Sequence, residues 1–123
     1  MKHTNQMKFV LVLSILMMSA CTKTPQEMIL GEWEGELELG QGRSIAVSAE
    51  FLEDGSMALI GKDESSKGGW IIPENEENTT EKGKITFTSD DGNPYKQGRY
   101  IFSAPDSLRI NLTDSRLELK RKE

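Results

Sequence analysis

From Glu32 onward the chain alternates apolar and polar residues with a period of two, the mark of strands that bury one face and wet the other. Trp33, Leu37 and Leu39 alternate with Glu32, Glu34, Glu36 and Glu38. Gly40-Gln41-Gly42 turns the chain. Ile45, Val47, Ala49 and Phe51 then alternate with Ser44, Ala46, Ser48 and Glu50, which predicts a second strand antiparallel to the first. At Glu53-Asp54-Gly55 two registers compete. A two-residue Asp-Gly loop pairs Leu52 with Met57, whereas a three-residue type I turn with Gly55 as a left-handed bulge pairs Phe51 with Met57. The second is expected, because it keeps Phe51, Met57 and Leu59 on one face and leaves only Leu52 and Ile60 outside.

The alternation continues to the end of the chain. A polar turn over 62–66 precedes a strand over 68–73 with Trp70 and Ile72 inward, stopped by Pro73. Residues 74–81 carry no apolar period and read as a mobile acidic loop. The strand over 83–89 places Ile85 and Phe87 inward and Lys84, Thr86 and Thr88 outward. After a turn at 90–94, a strand over about 96–103 points Tyr100 and Phe102 inward. Leu108, Ile110 and Leu112 mark a seventh strand, and a two-residue Asp114-Ser115 loop is expected to set Leu112 opposite Leu117. The last strand, 116–121, turns Leu117 and Leu119 inward. Short strands joined by local turns lose their edges most simply by closing on themselves. The expected fold is therefore all-β, an eight-stranded antiparallel up-and-down barrel, with an open meander or a two-sheet sandwich as alternatives.

Ahead of the strands, Thr24-Pro25-Gln26-Glu27 reads as a capping box: Thr24 at the N-cap, Pro25 in the first helical position, Glu27 reaching back. A short helix over about 25–30 follows, ended by Gly31. Its Met28, Ile29 and Leu30 need a surface to cover, and a barrel end supplies one.

The first twenty residues have the anatomy of an export signal, with Lys2 and Lys8, an apolar run from Phe9 to Met18, and small Ser19 and Ala20 before Cys21. That run reaches about 15 Å as a helix, half of a roughly 30 Å hydrocarbon core, and so suits a cleaved signal better than a membrane span. Met18-Ser19-Ala20-Cys21 resembles the lipobox of bacterial lipoproteins. The resemblance implies cleavage before Cys21 and a diacylglycerol, with fatty chains such as palmitate, on its sulfur; two or three chains anchor durably. It divides the chain into a signal peptide (1–20), a lipidated cysteine and tether (21–24) and a barrel domain (25–123). The address implied is the bacterial cell envelope. In Gram-negative members an aspartate after the lipidated cysteine favours inner-membrane retention; Thr22 stands there instead, so the resemblance favours the outer membrane where the organism has one. So short a tether would hold the helix, and the barrel end it covers, near the bilayer.

Charge narrows the function further. The chain has 15 basic and 20 acidic residues, a net charge of −5, and losing Lys2 and Lys8 with the signal makes the remainder more acidic still. Nucleic acid is an unsuitable partner for such a surface. His3, the single histidine, lies in the signal, and Cys21 is the single cysteine. The barrel domain thus lacks an imidazole for acid–base work, and a glycosidase would need two inward carboxylates where alternation turns nearly all of them outward. No enzyme, metal or cofactor is expected. Asp90-Asp91-Gly92-Asn93-Pro94 lacks the alternating ligands and closing glutamate of a calcium loop.

Gly31-Glu32-Trp33, just after the short helix and at the start of an eight-strand meander, resembles the Gly-x-Trp motif of lipocalin-like domains. In that family an arginine near the chain end packs across the tryptophan, and Arg116 and Arg121 are the candidates here. The resemblance implies a small hydrophobic ligand held inside the barrel. Trp33, Phe51, Trp70, Phe87, Tyr100 and Phe102 all point inward by period, and they can either fill the barrel as core or line a cavity. The alternative function is a filled barrel acting through its surface on another envelope protein, by the Glu32–Glu38 row or the 74–81 loop. Small barrel lipoproteins that inhibit lysozyme illustrate such a role, since an acidic surface steers a basic partner.

Overall fold

The computed structural model describes residues 23–122, so the expected export signal and Cys21 lie outside the described residues. Helix α1 (Pro25–Met28) begins with the capping box that the sequence predicts. The Glu27 amide donates to Thr24 Oγ1 at 3.2 Å and the Thr24 amide to Glu27 Oε1 at 3.0 Å. The helix is one turn long, shorter than expected, and its C-cap is Ile29. Gly31 instead opens the first strand, with a φ of 115°.

Eight strands follow: β1 (Gly31–Gly40), β2 (Arg43–Phe51), β3 (Ser56–Ile60), β4 (Ser65–Ile71), β5 (Lys82–Thr88), β6 (Pro94–Ala104), β7 (Ser107–Asn111) and β8 (Arg116–Arg121). Each pairs antiparallel with the next, and β8 returns to β1, closing the barrel. Closure leaves no exposed sheet edge at the ends of the meander, which is the physical reason to prefer it over an open sheet. The β2–β3 turn takes the three-residue form: Phe51 faces Met57, Gly55 has φ 88°, and Leu52 and Ile60 are left exposed.

Because every connection is a local reversal, the turns alternate between two ends. Helix α1 and the turns after β2, β4 and β6 gather at one end; the turns after β1, β3, β5 and β7 form the other. We call these the helix end and the mouth.

Several expectations are corrected. β4 starts at Ser65 and β6 at Pro94, so both strands extend further toward the mouth than their apolar residues indicate. Leu117 faces Ile110, with Arg116 opposite Asn111, so the β7–β8 connection is a four-residue turn over 112–115 and Leu112 lies in it. The Leu112 amide donates to the Ser115 carbonyl at 2.8 Å. A slip of two residues keeps every side chain on its face, so alternation alone could not exclude it. Thr88, expected outside, is buried, because its side chain lies over its ladder partner Gly69, in the space a Cβ would fill there.

The loop after β4 is fastened at several points. Asn78, 9% exposed, donates from Nδ2 to the Pro73 carbonyl at 2.7 Å and accepts at Oδ1 from the Lys84 amide at 2.8 Å. The Thr79 carbonyl accepts from the Tyr100 hydroxyl at 2.7 Å, and the Glu81 carbonyl from the Phe102 amide at 2.7 Å. These bonds hold the loop to the helix end through β5 and β6, although its side chains are mostly polar.

Candidate functional site

The inner face of the barrel is filled unevenly. At the helix end Ile29, Trp33 and Tyr100 have no exposed surface. Trp33 and Phe102 rings lie 6.3 Å apart, Tyr100 and Phe102 meet edge to face at 5.7 Å, and Phe51 and Trp70 do so at 5.9 Å. Such tilted and edge-on arrangements suit the ring quadrupoles. Polar edges are satisfied: Trp33 Nε1 donates to the Ile29 carbonyl at 2.9 Å and Trp70 Nε1 to the Leu52 carbonyl at 3.2 Å. Burial pushes the Tyr100 hydroxyl up to about 12.

Arg121 closes this end. Its guanidinium lies 4.2 Å from the Trp33 ring centroid, and it donates from Nη1 to the Leu30 carbonyl at 2.8 Å and from Nη2 to the Met28 carbonyl at 2.5 Å. Of the two candidate arginines, Arg121 is therefore the one that packs on the tryptophan and ties β8 to α1. Arg116 is at the mouth, where Nε donates to Glu38 at 2.6 Å.

Toward the mouth the aromatic packing stops. A cavity of about 310 Å³ opens there, with Leu37, Leu59, Met57, Phe87, Leu112 and Leu117 among its walls. Leu39, read as inward, is 39% exposed at its lip; Ile45, also on the inner face by period, is exposed at the same end. Neither residue departs from the alternation. Both stand where the barrel holds nothing to cover them. The size lies at the lower limit of pockets that take small molecules, and an apolar wall with a few polar groups at its rim is their usual make-up.

The six inward aromatics therefore divide. Trp33, Phe51, Trp70, Tyr100 and Phe102 are core, and Phe87 alone lines the cavity. Several polar residues at the mouth were not singled out from the sequence as site residues; among them Lys67, Thr88, Tyr95 and Lys96 contribute to the wall. Lys96 was legible, since stepping back from Tyr100 through Gly98 in twos puts it on the inner face. It stands directly across from Phe87. Thr88 pairs with Pro94, so Tyr95 is the extra residue of a bulge, which no period reveals.

The acidic row on β1 is less bare than the sequence implies. Across the closing seam Glu34 faces Lys120 and Glu38 faces Arg116. Arg116 also approaches Glu118 at 3.5 Å, and Glu118 is bridged by Arg109 at 2.7 Å. The Arg116 guanidinium holds the Glu38 carboxyl below its ordinary range. In the 89–93 turn, Asp91 accepts from the Ser89 hydroxyl and from the Asn93 amide at 3.2 Å, so its oxygens serve the turn itself. Among the described residues no three histidine, cysteine or carboxylate side chains converge as a metal would require.

Comparison with known protein families, curated proteins and solved structures yields no match.

Proposed function

We propose that this chain is a non-enzymatic envelope lipoprotein of the lipocalin-like type, anchored through Cys21, that holds a small apolar molecule in the mouth half of its barrel. The observation that carries the ligand reading is the uneven filling: the aromatic core stops partway up the barrel and a cavity with apolar walls takes its place. A barrel serving only as a rigid surface gains stability from each further large side chain buried, about 1.5 to 3 kcal/mol, and has no use for a void. The surface-acting alternative is weaker because basic side chains of β8 face part of the acidic row.

Under this reading the lipobox sets orientation as well as address. Thr24 begins the helix end, so an anchor at Cys21 would keep that end near the bilayer and turn the mouth away from it.

Two measurements test the proposal. In a bacterial host the wild-type chain should fractionate with membranes and carry the mass of an attached diacylglycerol, and Cys21→Ser should lose both. Full chain carrying Cys21→Ser should bind one equivalent of a naphthalene dye that brightens in apolar surroundings, displaceable by decanol. Absence of the lipid mass overturns the anchor; absence of a saturable dye site overturns the ligand cavity.

A further inference from the structure

Resting on the ligand cavity proposed for the mouth, we infer that its ligand is a single-chain amphiphile with an anionic head, the chain lying against Phe87 and Leu117 and the head held by Lys96 and Lys67. Lys96 occupies an inner-face position of β6, opposite Phe87, so its aliphatic stem starts inside the apolar wall. A long ammonium side chain can lay its stem on apolar surface and keep its charged end in water, and at a barrel mouth that end sits at the lip. Lys67 borders the same cavity from the outer face of β4, opposite Ala58, where Asp90 and Asp91 share a second hollow with it. In a chain of net charge −5, the cavity wall reverses the sign: these two lysines contribute to it and Asp114 is the one carboxylate among its lining residues.

Among the described residues the ion pairs all use Arg109 or Arg116. Neither mouth lysine is committed to a carboxylate, which leaves both able to meet an incoming anion. With about 30 Å³ per water in the liquid, a cavity of about 310 Å³ has room for about ten water-sized groups. A chain of about that many methylenes fits, and a diacyl lipid does not. A cationic amphiphile would meet the wrong sign at the lip.

The test uses the full chain carrying Cys21→Ser, titrated with decanoate, decyl phosphate, decanol and decyltrimethylammonium, each below its micelle concentration, by calorimetry and dye displacement. Either anion should bind about tenfold more tightly than decanol, a difference of about 1.4 kcal/mol, and the quaternary ammonium more weakly than decanol. Decyl phosphate binding well ahead of decanoate would mark a phosphate head; equal binding would mark any anion. Lys96→Gln should remove most of the preference for anions, read as the ratio of anion to decanol affinity. Equal affinity for decanol and the anions, or a preference that survives in the double variant Lys67→Gln, Lys96→Gln, overturns the anionic head while the apolar cavity stands. Failure of all four probes overturns the cavity reading itself.

Discussion

Arg121 lies across the face of Trp33, 4.2 Å from the ring centroid, and from there its guanidinium bonds the carbonyls of Met28 and Leu30. One side chain near the end of the chain thus fastens the helix, the first strand and the last strand together. The contact combines a cation–π interaction, up to about 2 kcal/mol when partly desolvated, with charge-assisted bonds to carbonyls that the short helix leaves open. Arg121→Ala should cost about 1 to 3 kcal/mol, and Arg121→Lys should recover little of it, because an ammonium cannot stack and reach both carbonyls. Trp33→Ala should cost about 3 to 5 kcal/mol. At about 4 to 8 °C per kcal/mol, both losses show in thermal unfolding by circular dichroism. A Trp33→Ala protein that melts like wild type would refute the core assignment.

Barrel closure depends on Gly35. It faces Leu119 across the β1–β8 seam, and a Cβ there would collide with the Glu118 carbonyl oxygen. Backbone cannot step aside as a side chain can. Gly35→Ala should destabilise by about 1 to 3 kcal/mol or more. Hydrogen exchange should quicken first at amides of β1 and β8, ahead of those of β5 and β6; uniform quickening would mean that the seam is not the weak point.

The alkaline limit of stability should belong in part to Tyr100. Its hydroxyl is raised from 10.0 to about 12 by burial. A raised folded value means that the neutral phenol is favoured in the folded state. Its contribution is complete below about pH 10, where the unfolded phenol also stays protonated, and is lost as pH rises toward about 12. Stability measured against urea should therefore fall over that window. Tyr100→Phe, less stable at neutral pH for want of the bond to Thr79, should show a shallower fall; parallel curves for the two proteins would contradict the assignment.

The two halves of the barrel should answer oppositely to changes in side-chain volume. Phe51→Ala empties packed core and should cost about 3 to 5 kcal/mol. Leu59→Trp adds volume beside the mouth cavity, where space exists, and should leave the melting temperature within a few degrees of wild type. The same substitution should abolish dye and decanol binding. Retained binding by a folded Leu59→Trp protein would place the dye outside the barrel.

Much of the fold was legible because period two reports which face of a strand is buried, and the report repeats over eight strands. The capping box at Thr24, the Gly55 bulge and the pairing of Phe51 with Met57 were readable from local chemistry alone. So was the inward direction of the six aromatics. The faces of Lys96 and Leu39 were equally available, since both obey the alternation.

What alternation does not encode is depth along the barrel axis. Trp33 and Leu39 lie on the same face of β1, yet one is sealed at the helix end and the other stands at the lip of a cavity. A register slip of two residues preserves every face, so the partner of Leu117 was decided only when β7 and β8 packed. Asn78 read as one polar residue among many until the close approach of Pro73 and Lys84 gave its amide two partners. The sequence determined strands, faces and caps, because those rest on neighbours within a few residues. Closure, the choice of Arg121 over Arg116 and the division of the barrel into core and cavity came from contacts between residues far apart in the chain.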